Sequence, residues 1–70
     1  MFSDQVKNVR ERLNYSQDKL ANTLGVSFAT INRWENSKNA PSKLARKSFY
    51  DFCEDNFIDV DELKKLWIFN

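Results

Sequence analysis

Side chains that carry out catalysis are scarce in this sequence of 70 residues. It has no histidine, one cysteine and one glycine, so it offers no nucleophile with a neighbouring base and no glycine-rich phosphate loop. The stretch EDNFIDVDELKK is acidic, but it lacks the turn glycine and the alternating ligands of a calcium loop. We interpret its carboxylates as helix caps and solvated surface. We therefore expect no enzyme activity, no metal, no cofactor and no small-molecule substrate.

Charge is segregated along the chain, although the net charge is only +1. Residues 1–50 hold nine Lys or Arg against four acids, a net of +5, and residues 51–70 hold two Lys against six acids, a net of −4. Such asymmetry gives a small domain a cationic side suited to phosphates and an anionic side turned away from them. The alternative is that both halves are ordinary solvated faces.

Several features of the sequence limit the class of protein to which it can belong. A length of 70 residues predicts one domain, residues 1–70, with no room for a second. A single cysteine, Cys53, cannot form an internal disulfide, and neither a leader nor a long apolar span is apparent. We expect a reducing cytoplasm, no membrane partner and a buried Cys53.

The spacing of apolar residues predicts five short helices and an all-α fold. Ser3 is the expected cap of a first helix that turns Val6, Val9 and Leu13 inward and ends near residue 13 or 14. Pro41-Ser42 is expected to begin the fourth, with Pro41 near its first turn. The expected inward residues of this fourth helix are Leu44, Ala45, Phe49, Phe52 and Cys53.

The fifth helix is expected to begin at Asp59, whose side chain caps it while Glu62 reaches back. Leu63, Leu66 and Trp67 form its apolar stripe. Residues 59–70 thus comprise a C-terminal helix and an aromatic tail.

LANTLGVSFATINRWEN, residues 20–36, contains the only glycine. Ser16 is the expected cap of a second helix that turns Leu20, Ala21 and Leu24 inward, and Ser27 is the expected cap of a third helix over 28–36. Gly25 between them can adopt a left-handed backbone without a Cβ penalty. Two helices can then meet at a sharp angle, which is the pattern of a DNA-binding helix-turn-helix with its core at 16–36.

The residues VRERLNYSQDKLANTLGVS and TINRWENSKNAPS resemble the helix-turn-helix domain of Cro and the lambdoid phage repressors. The resemblance covers about residues 5–63 and implies a compact bundle of the lambda-repressor-like type. Ser37 departs from the pattern, since it stands where the family usually has a glycine after Glu35-Asn36. Either Asn36 or Ser37 must then adopt the backbone conformation of that turn.

The resemblance implies that the third helix enters the major groove of double-stranded DNA. Ile31 and Trp34 turn inward at helical spacing, which sends the candidate base-reading residues to the other side. These are Phe28, Ala29, Asn32 and Arg33. Asn32 suits adenine, Arg33 suits guanine, and Phe28 and Ala29 suit the thymine methyl group. Phe28 can instead pack across the turn, and Arg33 can instead lie along the DNA backbone or bridge to a neighbour on its own helix.

A second set is expected to grip phosphates at helix starts and in the loop after the third helix. Its members are Gln17, Ser27, Asn36, Lys38, Asn39 and Lys43. Lys7 and Lys19 can equally be solubilising charges. The resemblance further implies that Arg10 and Glu35 form an ion pair that ties the first helix to the third, a structural role rather than a DNA contact.

The aromatic ending matches no feature of the family. Because one recognition helix makes few base contacts, useful specificity normally needs two copies on adjacent half-sites. We therefore expect a homodimer with Leu66, Trp67 and Phe69 at its interface, within the apolar strip that also includes Leu63 and Ile68. The alternative is that Leu63 and Trp67 close the monomer's own core. Taken together, the sequence predicts a small bacterial or phage transcriptional regulator, and the alternative is a protein-interaction module of the same fold.

Overall fold

Five α-helices follow one another along the chain. The computed structural model describes residues 1–37, 39 and 41–69, with side chains as far as Lys65 in the last helix. The helices are α1 (Phe2–Arg12), α2 (Gln17–Leu24), α3 (Phe28–Asn36), α4 (Lys43–Asp55) and α5 (Val60–Phe69). Helices and the turns between them account for the whole described part of the chain. The expected all-α, five-helix architecture is confirmed.

Serine side chains cap three of the helices. Each accepts a hydrogen bond from the backbone N–H three residues later: Ser16 from Lys19, Ser27 from Thr30, and Ser42 from Ala45. Asp59 caps α5 in a related way, because its Oδ1 accepts from the N–H groups of Asp61 and Glu62. The Glu62 carboxylate lies 3.7 Å from the Arg12 guanidinium on α1.

The start of α1 differs from the expectation that Ser3 caps it. The helix begins at Phe2, so Ser3 lies inside its first turn, and the terminal ammonium of Met1 lies 3.1 Å from the Asp4 carboxylate. The physical reason is the burial of Phe2. Its ring packs edge-on against Trp34 and Phe49, with ring centroids 5.8 and 5.3 Å away, and α1 must already be helical at that point to direct it there.

The core contains side chains from all five helices. Val6 and Val9 of α1, Leu20 and Ala21 of α2, and Ile31 and Trp34 of α3 are buried as expected, as are Phe49, Phe52, Cys53 and Leu63. Leu13, Leu24 and Ala45 are partly buried against this cluster. Helix α1 packs against both α3 and α5, and α2 packs against α3. The radius of gyration, 11.0 Å, is that of a fully folded chain of this length.

One expectation for α4 is wrong. Leu44 is 78% exposed, whereas it was expected to face the core. At about 100° per residue, Leu44 lies about 140° around the helix from the buried Phe49. Pro41 directly precedes the cap Ser42, near the first turn as expected, and α4 itself begins at Lys43.

Three helices end in the same left-handed turn, not only the one that contains the glycine. Gly25 after α2 has φ +72°, Asn14 after α1 has φ +57°, and Phe57 after α4 has φ +60°. In each case the residue after the left-handed one donates its N–H to the carbonyl five positions earlier: Val26 to Ala21, Tyr15 to Arg10, and Ile58 to Cys53. This pattern is the Schellman motif. Within the described residues, no helix is long and apolar enough to cross a bilayer.

Candidate nucleic-acid interface

The faces of α3 divide as helical spacing predicts. Ile31, Trp34 and Glu35 are buried, whereas Phe28, Ala29 and Arg33 on the other side are exposed and Asn32 is half-buried. Phe28 is 46% exposed, so its side chain does not pack fully across the turn. The four candidate base-reading residues therefore share one accessible surface of a nine-residue helix.

Ser27 at the start of α3 is exposed, but its hydroxyl is engaged within the helix start. Its Oγ accepts from the backbone N–H of Thr30 at 3.1 Å and lies 2.9 Å from the Thr30 Oγ1. A phosphate contact from Ser27 would therefore use the remaining hydrogen-bonding capacity of this hydroxyl or its backbone N–H.

The start of α2, a helix that packs against α3, is the next candidate phosphate site. Gln17 is the first residue of α2 and is half-buried. The cap uses the N–H of Lys19, and the other first-turn N–H groups of a helix have no partner within it. The Lys19 ammonium lies over the Tyr15 ring, 5.5 Å from its centroid. Gln17 and the amides of this first turn therefore lie at the positive end of the α2 dipole.

The chain leaves α3 through extended backbone instead of a left-handed turn. Ser37 has φ −86° and ψ 141°, so neither Ser37 nor Asn36 adopts the conformation that a glycine would. The Ser37 hydroxyl accepts from the Asn39 N–H at 3.1 Å and donates to the Asn39 carbonyl at 3.0 Å, which holds the exit in a tight bend. Lys43, exposed, begins α4. The candidate phosphate ligand Lys38 lies outside the described residues.

Asn36 makes a contact that the sequence reasoning missed. Its Nδ2 donates to the main-chain carbonyl of Asn32 at 2.8 Å and also to the Asn32 side-chain Oδ1. Asn36 was expected to bind a phosphate, and Asn32 to read a base, yet their side chains are joined. The spacing of four residues was the available signal, since amide side chains at that separation hydrogen-bond on a helix surface.

Arg10 and Glu35 lie together as the resemblance implies. The Arg10 Nε donates to Glu35 Oε2 at 2.8 Å and its Nη2 donates to Oε1 at 3.0 Å, a bidentate pair. The remaining Nη1 donates to the Tyr15 carbonyl at 3.1 Å. Glu35 is only 3% exposed, and the hydrogen bonds to it raise the pKa of the Arg10 guanidinium above its ordinary value.

The ion pair connects three elements at once. It joins α1 to the last turn of α3, and through the Tyr15 carbonyl it also holds the turn before α2. The Tyr15 contact had no signal in the sequence, because any residue can supply a backbone carbonyl. Arg10 is thereby directed into the fold, and the accessible surface of α3 is left to the residues of its other face.

Comparison with known families agrees with this geometry. A family model described as helix-turn-helix matches residues 6–44, more than half of the chain, from α1 to the start of α4. The chain belongs to this Cro/C1-type helix-turn-helix family. Helix-turn-helix proteins of this type are DNA-binding regulators, and α2 and α3 are the two helices of the motif. No curated protein and no solved structure matches the chain.

The expected dimer residues belong to the end of α5. The side chains of Leu66, Trp67 and Phe69 lie outside the described residues. Leu63, which belongs to the same apolar strip, is fully buried in the monomer. Leu63 is therefore part of the core.

Proposed function

We propose that this chain is a transcriptional regulator of the cytoplasm that binds double-stranded DNA in a sequence-specific manner, with α3 in the major groove. The observation that carries the proposal is the accessible surface of Phe28, Ala29, Asn32 and Arg33 on a helix whose opposite face is buried. Amide and guanidinium groups match the base edges of the major groove, and the exposed ring and methyl group match thymine. Membership of a DNA-binding family supports this role.

The proposed phosphate contacts frame this surface. Gln17 and the first turn of α2 approach one strand, while Asn39 and Lys43 lie between the exit of α3 and the start of α4. Such contacts fix the register of a protein on the duplex but carry no base information. They should therefore be separable from Asn32 and Arg33 by experiment.

Selection of bound sequences from a random duplex library is the direct test. We expect one preferred site, with affinity that falls steeply as salt rises. Asn32→Ala should cost about 1 to 3 kcal/mol on that site and relax the preference at one or two base pairs. The matched control Lys43→Ala should weaken all duplexes alike and reduce the salt slope by about one. Equal losses on preferred and random DNA for both variants would refute the division of roles.

We also propose that the chain binds DNA as a two-fold dimer through the end of α5. The reason is one of scale, because a single recognition helix reaches few bases and paired half-sites lie about 34 Å apart. Sedimentation of the wild type at high micromolar concentration should show self-association, and Trp67→Ala or Phe69→Ala should weaken it. If the wild type is monomeric and the selected site lacks inverted symmetry, the proposed dimer is refuted.

One observation favours the second candidate, a protein-interaction module. Phe57 is 99% exposed on the turn between α4 and α5, next to the acidic Glu54 and Asp59. Exposed aromatic residues of this kind are frequent in protein interfaces. Absence of any salt-dependent shift with mixed duplex DNA at low salt would favour this candidate over DNA binding.

A further inference from the structure

The last turn of α3 contains an unusual use of an exposed polar side chain. Asn36 is exposed and could extend freely into solvent, yet its amide turns back along the helix to the Asn32 carbonyl and to the Asn32 Oδ1. An amide that only gripped a flanking phosphate would not need this second contact. Asn36 thus acts first on another side chain of the same surface.

The contact determines which way the Asn32 amide faces. A primary amide can rotate by half a turn, which exchanges its donor and acceptor with almost no change of shape. The Asn36 Nδ2 faces one of the two polar atoms of the Asn32 amide. Because Nδ2 is a donor, that atom must be the acceptor Oδ1, since a rotated Asn32 amide would set two NH₂ groups against each other. The hydrogen bond therefore selects one orientation of Asn32.

The selected orientation keeps the groups that a bidentate pair with adenine needs. The Asn32 Oδ1 has two lone pairs, so one remains for the adenine N6 amino group after Asn36 has taken the other. Both hydrogens of the Asn32 Nδ2 stay available for adenine N7. Orienting the side chain before binding also reduces the rotamer freedom lost on contact.

We propose that Asn36 is a positioning residue for base readout, which sets the specificity of Asn32 by fixing its amide. This inference rests on the proposed function, and it replaces the phosphate contact expected for Asn36. Asn36 itself contacts no base. Its effect on binding is confined to the base pair that Asn32 reads.

The test uses the full chain and the preferred duplex obtained by selection. Dissociation constants are measured for that duplex, for its single-base variants and for a random duplex, each at two salt concentrations. We expect Asn36→Ala to reduce discrimination by about two- to tenfold at the same base pair that Asn32→Ala relaxes. Its affinity for random DNA and its salt slope should match those of the wild type.

Two further variants sharpen the result. Asn32→Ala/Asn36→Ala should discriminate no worse than Asn32→Ala alone, because Asn36 acts only through Asn32. Asn36→Gln, which retains a donor amide, should recover part of the discrimination. Thermal melting by circular dichroism should be nearly the same for all of them, since Asn36 is exposed.

Three outcomes would overturn the inference. If Asn36→Ala weakens preferred and random duplexes equally and lowers the salt slope, Asn36 is a phosphate ligand. If discrimination at the Asn32 base pair survives in Asn36→Ala, the hydrogen bond does not set it. A wild type that binds no duplex, or binds all sequences alike, refutes the proposed function itself and the inference with it.

Discussion

Removal of Arg10 is expected to be the most damaging single change outside the hydrophobic core. In Arg10→Met the apolar stem is kept, but the Glu35 carboxylate loses both donors while it remains 3% exposed. An unpaired buried charge of this kind costs about 3 to 5 kcal/mol. A chain of this length has a total stability of roughly 4 to 10 kcal/mol. The variant should therefore be partly or largely unfolded at room temperature.

The two partners should not be equivalent. The Arg10 side chain is 22% exposed, so after Glu35→Gln it can turn part of its guanidinium to water, and the cost should be nearer to about 1 to 3 kcal/mol. The double variant Arg10→Met/Glu35→Leu replaces the whole pair with apolar groups and should recover most of the stability.

Urea unfolding followed by far-ultraviolet circular dichroism measures these differences. The expected order of stability is wild type, then the double variant, then Glu35→Gln, then Arg10→Met. A loss below about 1 kcal/mol for Arg10→Met would mean that the pair behaves like a surface salt bridge, and the reasoning from burial would be refuted.

Three further predictions concern single positions. Gly25→Val should destabilise the fold by about 1 to 2 kcal/mol through its left-handed backbone alone, since a Cβ there meets open space, and an unchanged melting temperature would contradict this. Phe57→Gly should raise the melting temperature by roughly 4 to 8 °C per kcal/mol gained, because it relieves the same conformation and loses no buried surface; a lower melting temperature would show that the ring has a structural contact. Burial raises the pKa of the Cys53 thiol to about 12, so labelling by a thiol reagent at pH 8 should follow global unfolding, and rapid labelling of the native protein would contradict the burial. Because the unfolded thiol loses its proton at lower pH than the native one, the contribution of Cys53 to stability should be present below its unfolded pKa and be lost as pH rises towards 12.

Much of the fold could be predicted because it follows from spacing and capping chemistry. The serine caps of α2 and α3 and the left-handed Gly25 depend on local rules, and α3 has the predicted limits. Leu44 is expected in the core because its side chain is apolar. Its position about 140° around α4 from the buried Phe49 places it on the outer side instead, so the helical spacing, and not the hydrophobicity of the residue, decides its face.

Phe57 could not have been predicted as a left-handed residue. Glycine and asparagine mark such turns because they tolerate a positive φ, so the turn at Asn14 has a signal in the sequence. A phenylalanine gives no such signal in the sequence. Its place is imposed by Cys53 and Ile58, which are both buried on either side of the turn and force the chain to reverse there. Within the fold, the exposure of the Phe57 ring therefore follows from the burial of Cys53 and Ile58.

The candidate interface depends on two kinds of residue that experiment can separate. Gly25 and Arg10 hold α3 at its two ends, so their variants should lose DNA binding only as far as they lose stability. Asn32 and Asn36 lie on the accessible surface and hold nothing else in place, so their variants should lose base discrimination at constant stability. When specificity is plotted against the free energy of unfolding, variants of Gly25 and Arg10 should therefore differ from the wild type mainly in the free energy of unfolding. Variants of Asn32 and Asn36 should differ from it mainly in specificity. A variant of Asn32 that lost stability and specificity in proportion would show that this surface belongs to the fold and that the bases are read elsewhere.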